Sequence, residues 1–423
     1  MGCMSLPEGY RIVVVPDERR DEFLAADQLT WAQGLEPEAL TEAPPALEWG
    51  VRTVGVEKDD QLVAVHGSYS FAAPVPGGTV PCSGLTWVGV RPDHRRRGLL
   101  SAMIDAHFER SLQRGEPVSA LFAAEAAIYG RFGYGCAADE LGVEVPRGAA
   151  LRPVAGSDEL TVRFDTADRT RHADLVDAVH RAAGGGRPGW MTRDSAQQRA
   201  NQVADPPTWR HGGEPLRIAT VHAPDGSPRG YALVRRKEKW GDAGPEYAVT
   251  LRELVAVDAA AAHRLWSFVL DLDLTKSVAA SHLAVDDPLT HLLVDRRAAV
   301  PKLGDNVWVR LLDLATALQV RRYAAPVDVT LEVTDTRLPA NAGRWRLATT
   351  AASGDGWVAQ VTRTDAPADL ALDVRELGAA YLGGRSIGAQ ARAGLVRELR
   401  PGAAAAATAA FGWPLAPVCS WVF

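Results

Sequence analysis

The chain has 423 residues, 47% hydrophobic and 23% charged, the balance of a globular protein of about two to four domains. A net charge of −6 without a long basic stripe excludes a typical nucleic-acid binder, and no run approaches the ~20 apolar residues of a membrane span. The N-terminus MGCMSLPEGY lacks the basic and apolar regions of a signal peptide, and Leu6 breaks a myristoylation motif. Cys3, Cys82, Cys136 and Cys419 show neither CxxC spacing nor a disulfide-like pattern, so the expected setting is a reducing cytoplasm.

From Arg11 to about Val145 strands and helices alternate. Gln61–Phe71 (QLVAVHGSYSF) and Leu85–Val90 read as strands. Leu99, Leu100, Met103, Ile104, Phe108 and Leu112 recur at helical spacing within 97–114, and Gly115 and Pro117 end that helix. Val118–Ala124 is then a short buried strand. The segment Thr86–Leu100, TWVGVRPDHRRRGLL, carries the chemistry. A strand ends at Val90, a turn follows, and Arg95, Arg96, Arg97 and Gly98 lead into the helix. Unpaired N–H groups and a positive dipole at a helix start suit a pyrophosphate, and Gly98 admits a close approach. Arg96, Gly98 and the backbone amides are the expected diphosphate grip. Val88-Gly89-Val90 is the strand end that runs into this turn. His94 reads as a surface or capping imidazole. No metal-ligand spacing such as HExxH occurs, and no Gly-x-Ser-x-Gly elbow supports a hydrolase.

A second region begins after Arg147-Gly148 and runs to about Val300. Within it, Leu254-Val255-Ala256-Val257-Asp258 aligns with Trp87-Val88-Gly89-Val90-Arg91, and a helix follows in both. The second copy lacks the arginines and the glycine, so it should keep the scaffold and lose the phosphate site. In the third region Pro326–Asp335, Gly343–Thr350 and Gly356–Thr362 alternate as strands, while Asp373–Leu382 and Gly394–Leu399 look helical. The alanine run 403–407 fits a helix or a connector. The last segment, GWPLAPVCSWVF, is too apolar for a free tail and should insert into the protein.

Arg95–Leu100 resembles motif A of the GNAT acetyltransferases, with Leu100 in place of the last small residue. Together with EAAIYGRFGYG (Glu125–Gly135) and a C-terminal aromatic residue, it resembles the Eis (enhanced intracellular survival) family of N-acetyltransferases. The resemblance covers essentially the whole chain, its third part resting on VRELGAAYLGGRSIG (Val374–Gly388). It implies an α+β fold of mixed sheets: a GNAT domain with the acetyl-CoA motif (1–147), a degenerate GNAT-like domain (148–305) and a sterol-carrier-like domain (306–423). It places acetyl-CoA, the co-substrate, against Val88, Gly89 and Val90, against Arg96, Arg97, Gly98, Leu99, Leu100 and Ser101, and against Ala124 and Glu125. It makes Tyr129 the proton donor to the leaving thiolate and the terminal carboxylate of Phe423 the proton acceptor. It also implies a homohexamer.

The residues support part of this. A phenol of pKa about 10 protonates a thiolate whose thiol has pKa about 8.5 against roughly 2 kcal/mol, tolerable for a positioned acid. A free α-carboxylate, at about 3.5, is a weak base for an ammonium. Burial beside Trp413, Pro414, Val418, Trp421 and Val422 would raise it, and a water relay or a partly neutral amine serves equally. Tyr134 reads as structural. For the amine acceptor, Glu22, Asp27, Trp31 and Glu36 fit a substrate wall and equally a solvated helix face. Val422 stands where an acidic residue would help grip a polycation. The reading is an acetyl-CoA-dependent transferase acting on a polyamine, aminoglycoside or lysine-type amine by direct transfer. The alternatives are a non-catalytic acyl-CoA or lipid-binding module, in which the apolar tail fills a sterol-carrier tunnel, and a transferase acting only on protein amines.

Overall fold

The structure, a computed structural model, describes residues 6–31, 36–352, 354 and 356–423. The chain opens with β1 (Tyr10–Val14), α1 (Arg20–Gln28), α2 (Pro37–Glu42), β2 (Thr53–Lys58), β3 (Gln61–Val75) and β4 (Gly78–Val90). Then come α3 (Leu99–Gln113), β5 (Val118–Phe122), α4 (Ala126–Tyr129) and β6 (Gly135–Cys136). The middle holds β7 (Asp139–Pro146), β8 (Thr161–Thr166), α5 (Arg169–Ala183), α6 (Ala196–Val203), β9 (Arg217–His222) and β10 (Pro228–Lys237). It continues through the hairpin β11 (Trp240–Gly241) and β12 (Gly244–Pro245) to β13 (Tyr247–Ala256), α7 (Ala259–Leu270), β14 (Thr275–Leu283), α8 (Leu289–Leu292) and β15 (Lys302–Asp305). The rest is β16 (Val307–Leu311), α9 (Leu314–Val320), β17 (Arg322–Tyr323), β18 (Asp328–Thr334), β19 (Gly343–Ala351), β20 (Trp357–Arg363) and β21 (Leu370–Asp373), with α10 (Val374–Ala380), α11 (Ile387–Arg392), β22 (Val396–Glu398) and α12 (Ala403–Phe411).

These strands form three main sheets, ordered β1-β2-β3-β4-β5-β16-β6, β15-β7-β14-β13-β10-β9-β8 and β17-β20-β19-β18-β21-β22. The first two share one plan. Antiparallel strands lead to a long strand, a helix crosses over, and the next strand pairs parallel, β4–α3–β5 in one sheet and β13–α7–β14 in the other. In both, the parallel pair is short and then parts. β4 meets β5 only at Cys82↔Val118, Ser83↔Ser119 and Gly84↔Ala120, leaving Leu85 to Val90 open on that side.

The sheets do not divide at residues 147 and 305, where the sequence suggests domain limits. β7 lies within the first 147 residues, yet it pairs with β14 and β15 in the second sheet. β16 lies beyond residue 305 and inserts between β5 and β6 of the first sheet. Hydrophobic alternation identifies a strand but not its partner, and both exchanges are long-range. The buried Arg310–Asp335 pair, bonded at 2.8 and 2.7 Å, ties β16 to the third region, and Asn341 adds a bond to the same carboxylate at 3.0 Å. Asp335→Ala would strand the Arg310 charge in the core, and urea unfolding should show a loss of about 3–5 kcal/mol.

Two expectations for the third region change. Gly394–Leu399 is not helical: Val396–Glu398 is an edge strand paired with β21, because Gly394 turns at φ 78° and Pro401 follows too soon for a helix. The alanine run becomes α12, with Ala403, Ala404, Ala407, Ala410 and Phe411 buried. The tail beyond α12 does not fill a tunnel in its own sheet; it runs to the first and second sheets and ends in a buried Phe423, 8% exposed. No helix among the described residues is long and apolar enough to cross a membrane.

Candidate active site

The site is built on a defect in β4. Gly67 faces Thr86 and Val65 faces Gly89, so β4 carries one extra residue, a β-bulge with Trp87 at φ 54°. Beyond it the Arg91 N–H donates to the Val63 carbonyl at 2.9 Å, on the β3 side. Strand alternation therefore turns the Val90 N–H to the other side, into the gap β5 has left. Gly89 has its own reason: a Cβ there would stand 2.9 Å from Thr30 Oγ1, where the end of α1 crosses β4.

The loop Arg91–Gly98 follows, pinned by Arg91–Asp93 at 2.9 Å and by Tyr10 Oη to His94 Nδ1 at 2.9 Å. His94 thus anchors the loop to β1. Arg96 at φ 61° and Gly98 at φ 80° turn the chain through left-handed conformations, a shape that gathers N–H groups toward an anion. Gly98 precedes α3 with no side-chain cap, and no acid occupies its first turn. Space around a Gly98 Cβ is open, so the glycine serves conformation and approach rather than packing. Arg95, Arg96 and Arg97 are exposed, Leu99 is buried, and Leu100 and Ser101 are half-buried.

The second sheet shows the same scaffold closed. Val257 and Asp258 alone join β13 to α7, and Asp258 Oδ1 caps the helix by accepting from Ala261 N at 2.8 Å while Arg229 pairs with the same carboxylate. A carboxylate at the helix start repels the diphosphate that α3 would attract.

One residue near the first site gave no sequence signal. Arg337, from the third region, lies 3.1 Å from both Asp105 oxygens and 3.4 Å from Ser101 Oγ, adding a cation beside the first turns of α3. It is distant in sequence and lies in no motif, so only the fold reveals it.

Ala124 and Glu125 are exposed at the head of α4, and Tyr129 closes that helix. Tyr129, Val88 and Leu100 pack on one cluster with Leu85, Leu121 and Ile104, on the α3 face of the sheet. Burial first, then Glu125, pushes the Tyr129 phenol up to about 12. It therefore keeps its proton throughout the physiological range and surrenders it against a steeper gradient, about 5 kcal/mol, than an ordinary tyrosine. Tyr134 is structural: its hydroxyl meets Ser119 Oγ at 2.8 Å, and Ser119 meets His107 Nε2 at 2.9 Å, all buried.

Phe423 approaches from the opposite face. Its ring lies 4.8 Å from Phe71, 5.2 Å from Phe122 and 5.9 Å from Trp421, and a Cβ on Gly84 would stand 3.1 Å from it. Gly84 is where β4 and β5 part. Of the expected neighbours only Trp421 contributes a ring contact; Trp413 packs at Gly383, and Val422 is 56% exposed.

On the acceptor side the four candidates separate. Glu22 is spent on Arg19, at 2.7 and 2.9 Å, and on the Leu62 N–H at 2.7 Å, so it fastens α1 to β3 and forms no substrate wall. Trp31 and Glu36 are exposed. Asp27 is buried, its Oδ1 has no hydrogen-bond partner, and burial raises its carboxyl to about 6 despite an offsetting bond from Trp31. Its folded pKa lies above the unfolded value, so its charge costs stability above pH 6 and nothing below pH 4. Asp27→Asn should gain about 2–3 kcal/mol in urea unfolding at pH 7.5, and the gain should vanish near pH 4.

Comparison with known proteins identifies the family. Residues 12–137 and 189–311 match two families, each described as acetyltransferase (GNAT) domain, and 314–420 match the sterol carrier protein domain. An uncharacterized N-acetyltransferase of Streptomyces avermitilis is 42% identical over 368 residues, 86% of this chain and 88% of that one. The N-acetyltransferase Eis of Mycobacterium tuberculosis is 35% identical over 356 residues, 81% of each chain. The crystal structure of Eis1 from Mycobacterium abscessus superposes with a TM-score of 0.79 at 30% identity, covering 98% of this chain and all of that one. Two GNAT domains followed by a sterol-carrier domain, with this identity to Eis over four fifths of the chain, make it a member of the Eis family of acetyl-CoA-dependent GNAT N-acetyltransferases.

Proposed function

We propose that the protein moves an acetyl group from acetyl-CoA directly to a cationic small-molecule amine, with both substrates bound together. Residues 88–101 hold the coenzyme: the arginines and the uncapped α3 terminus take the diphosphate, and the β4 main chain takes the pantetheine. The observation that carries the acceptor class is Asp27, a buried carboxylate with an unpartnered oxygen on the helix whose end touches Gly89. A buried charge demands a counter-charge, and an ammonium supplies one.

The amine loses a proton to the Phe423 carboxylate, directly or through a water relay, and its lone pair attacks the thioester carbon. The Val90 N–H donates to the carbonyl oxygen as charge builds there. The C–S bond breaks and Tyr129 gives its proton to the sulfur. The nitrogen sheds its second proton, which restores Tyr129 through solvent, the Phe423 carboxyl releases its own proton to solvent, and the amide and free thiol leave. Because Asp27 grips the cation only when ionised, kcat/KM for the acceptor should rise with pH through about 6. Asp27→Asn should lose that acidic limb.

The test is thiol release with untagged protein and a short diamine, an aminoglycoside and a lysine peptide. The short diamine should be acetylated best, because exposed Val422 adds no acid for a larger polycation. Failure of every amine to exceed background thioester hydrolysis would overturn the proposal.

A further inference from the structure

The apolar tail ends in the first domain, where the Phe423 ring packs on Phe71 and Phe122. Its polar anchors come one after another from the second domain and from Asn306 at its border. Ala416 N donates to Asp286 Oδ2 at 3.0 Å, and Arg187 bridges Asp286 and the Ala416 carbonyl at 2.8 and 2.6 Å. Val418 N donates to the Pro188 carbonyl at 3.1 Å. Cys419 N donates to Asn306 Oδ1 at 2.8 Å, and Asn306 Nδ2 returns a bond to the Cys419 carbonyl at 3.0 Å. Trp421 Nε1 donates to the Met191 carbonyl at 2.8 Å.

The strongest anchor is Ser420, whose hydroxyl donates to Glu253 Oε1 at 2.7 Å. Glu253 sits on β13 just past the bulge at Arg252, beyond Leu251, where β13 and β14 cease to pair. Its counterpart in the first sheet is Thr86, beside the β4 bulge and just before the residues that line the gap between β4 and β5. The carboxylate is fully engaged: Arg193 donates to Oε1 at 2.6 Å, and Tyr231 and Gln202 donate to Oε2 at 2.6 and 2.8 Å. Burial opposes its charge, but Arg193, His180 and these bonds hold the carboxyl below its usual range. Since the single Ser420 hydrogen goes to Glu253, the bond of 2.9 Å from His180 is donated by Nε2–H. Arg193 also lies over the Trp421 ring at 5.1 Å.

We infer that the second domain has become the clamp for the chain's end: Glu253, held by Arg193 where β13 leaves β14, grips Ser420 and so fixes where the Phe423 carboxylate stands in the first domain. Glu253 and Ser420 are positioning residues. Phe423 follows Ser420 by three positions, so losing that bond loosens the main chain that carries the carboxylate while the Phe423 ring stays packed on Phe71 and Phe122. The inference rests on the reading of Phe423 as the proton acceptor.

The test compares wild type, Ser420→Ala, Ser420→Thr and Glu253→Gln, each untagged, with a wild-type chain extended by one glycine after Phe423. The first readout ignores catalysis: release of Phe423 by a carboxypeptidase from the folded protein, followed by mass spectrometry. Ser420→Ala should release it at least ~10-fold faster than wild type, the loss expected of one charge-assisted bond, and Ser420→Thr should restore protection. The second readout is turnover: Ser420→Ala should lower kcat about tenfold and leave KM for acetyl-CoA within about twofold, since residues 88–101 are untouched. If Ser420→Ala and Glu253→Gln leave both protection and kcat unchanged while the extension abolishes activity, the clamp is wrong and the Phe423 reading stands. If the extension is harmless, the Phe423 reading fails and the clamp's catalytic purpose with it. Glu253→Gln is the variant at risk of misfolding; Ser420→Ala removes one oxygen, and its behaviour is decisive by itself.

Discussion

Extending the chain by a single glycine beyond Phe423 is expected to cut turnover about a hundredfold, the usual contribution of a positioned proton acceptor, in a protein that stays folded. The Phe423 ring is wedged among Phe71, Phe122 and Trp421 and against Gly84, so it cannot shift to make room. A further peptide unit converts the carboxylate into an amide, which takes no proton, and carries the new terminus about 3.8 Å away. Acetyl-CoA affinity should not change, because the loop Arg91–Gly98 proposed to take the diphosphate is not among the ring contacts of Phe423. Thiol release by tagged and untagged protein, with thermal unfolding as the control, checks this. A fully active extended chain would remove Phe423 from the mechanism.

Tyr129→Phe should lower kcat by one to three decades while binding of acetyl-CoA and the fold remain close to wild type. The ring keeps its edge-on packing against Tyr134 at 5.9 Å, so only the hydroxyl is lost. With its phenol pushed up to about 12, Tyr129 stays protonated at every pH usable for assay. The wild-type profile should therefore show no basic limb from this residue below about pH 11. Steady-state thiol release across pH 6–10 reads both effects, and an unaltered kcat would exclude Tyr129 as the acid.

The parts of this molecule governed by local chemistry were legible in its residues. The strand ending at Val90, the helix from Leu99, the strands near 328, 343 and 357 and the second strand–helix copy at 254–270 all follow from periodicity and breakers. The buried tail followed from its composition. What escaped was non-local. Asp139–Pro146 alternates like any strand, and nothing in it names β14 as its partner. Arg337 carries no motif, and Glu22 and Asp27 look alike on a helix wheel until the Leu62 N–H claims one and burial isolates the other. Val396–Glu398 was too short for periodicity to separate strand from helix. Tyr129 was identifiable, but the burial that raises its phenol depends on packing that periodicity does not reveal.

We propose that Val88 to Ser101 grips coenzyme A in the first domain, while Asp258 closes the equivalent helix start in the second. Calorimetric titration of the untagged protein with acetyl-CoA tests both halves at once. One site per chain, lost on replacing Gly98 with Asp and unaffected by replacing Asp258 with Asn, is the predicted result. No heat of binding, or two equal sites per chain, would contradict it.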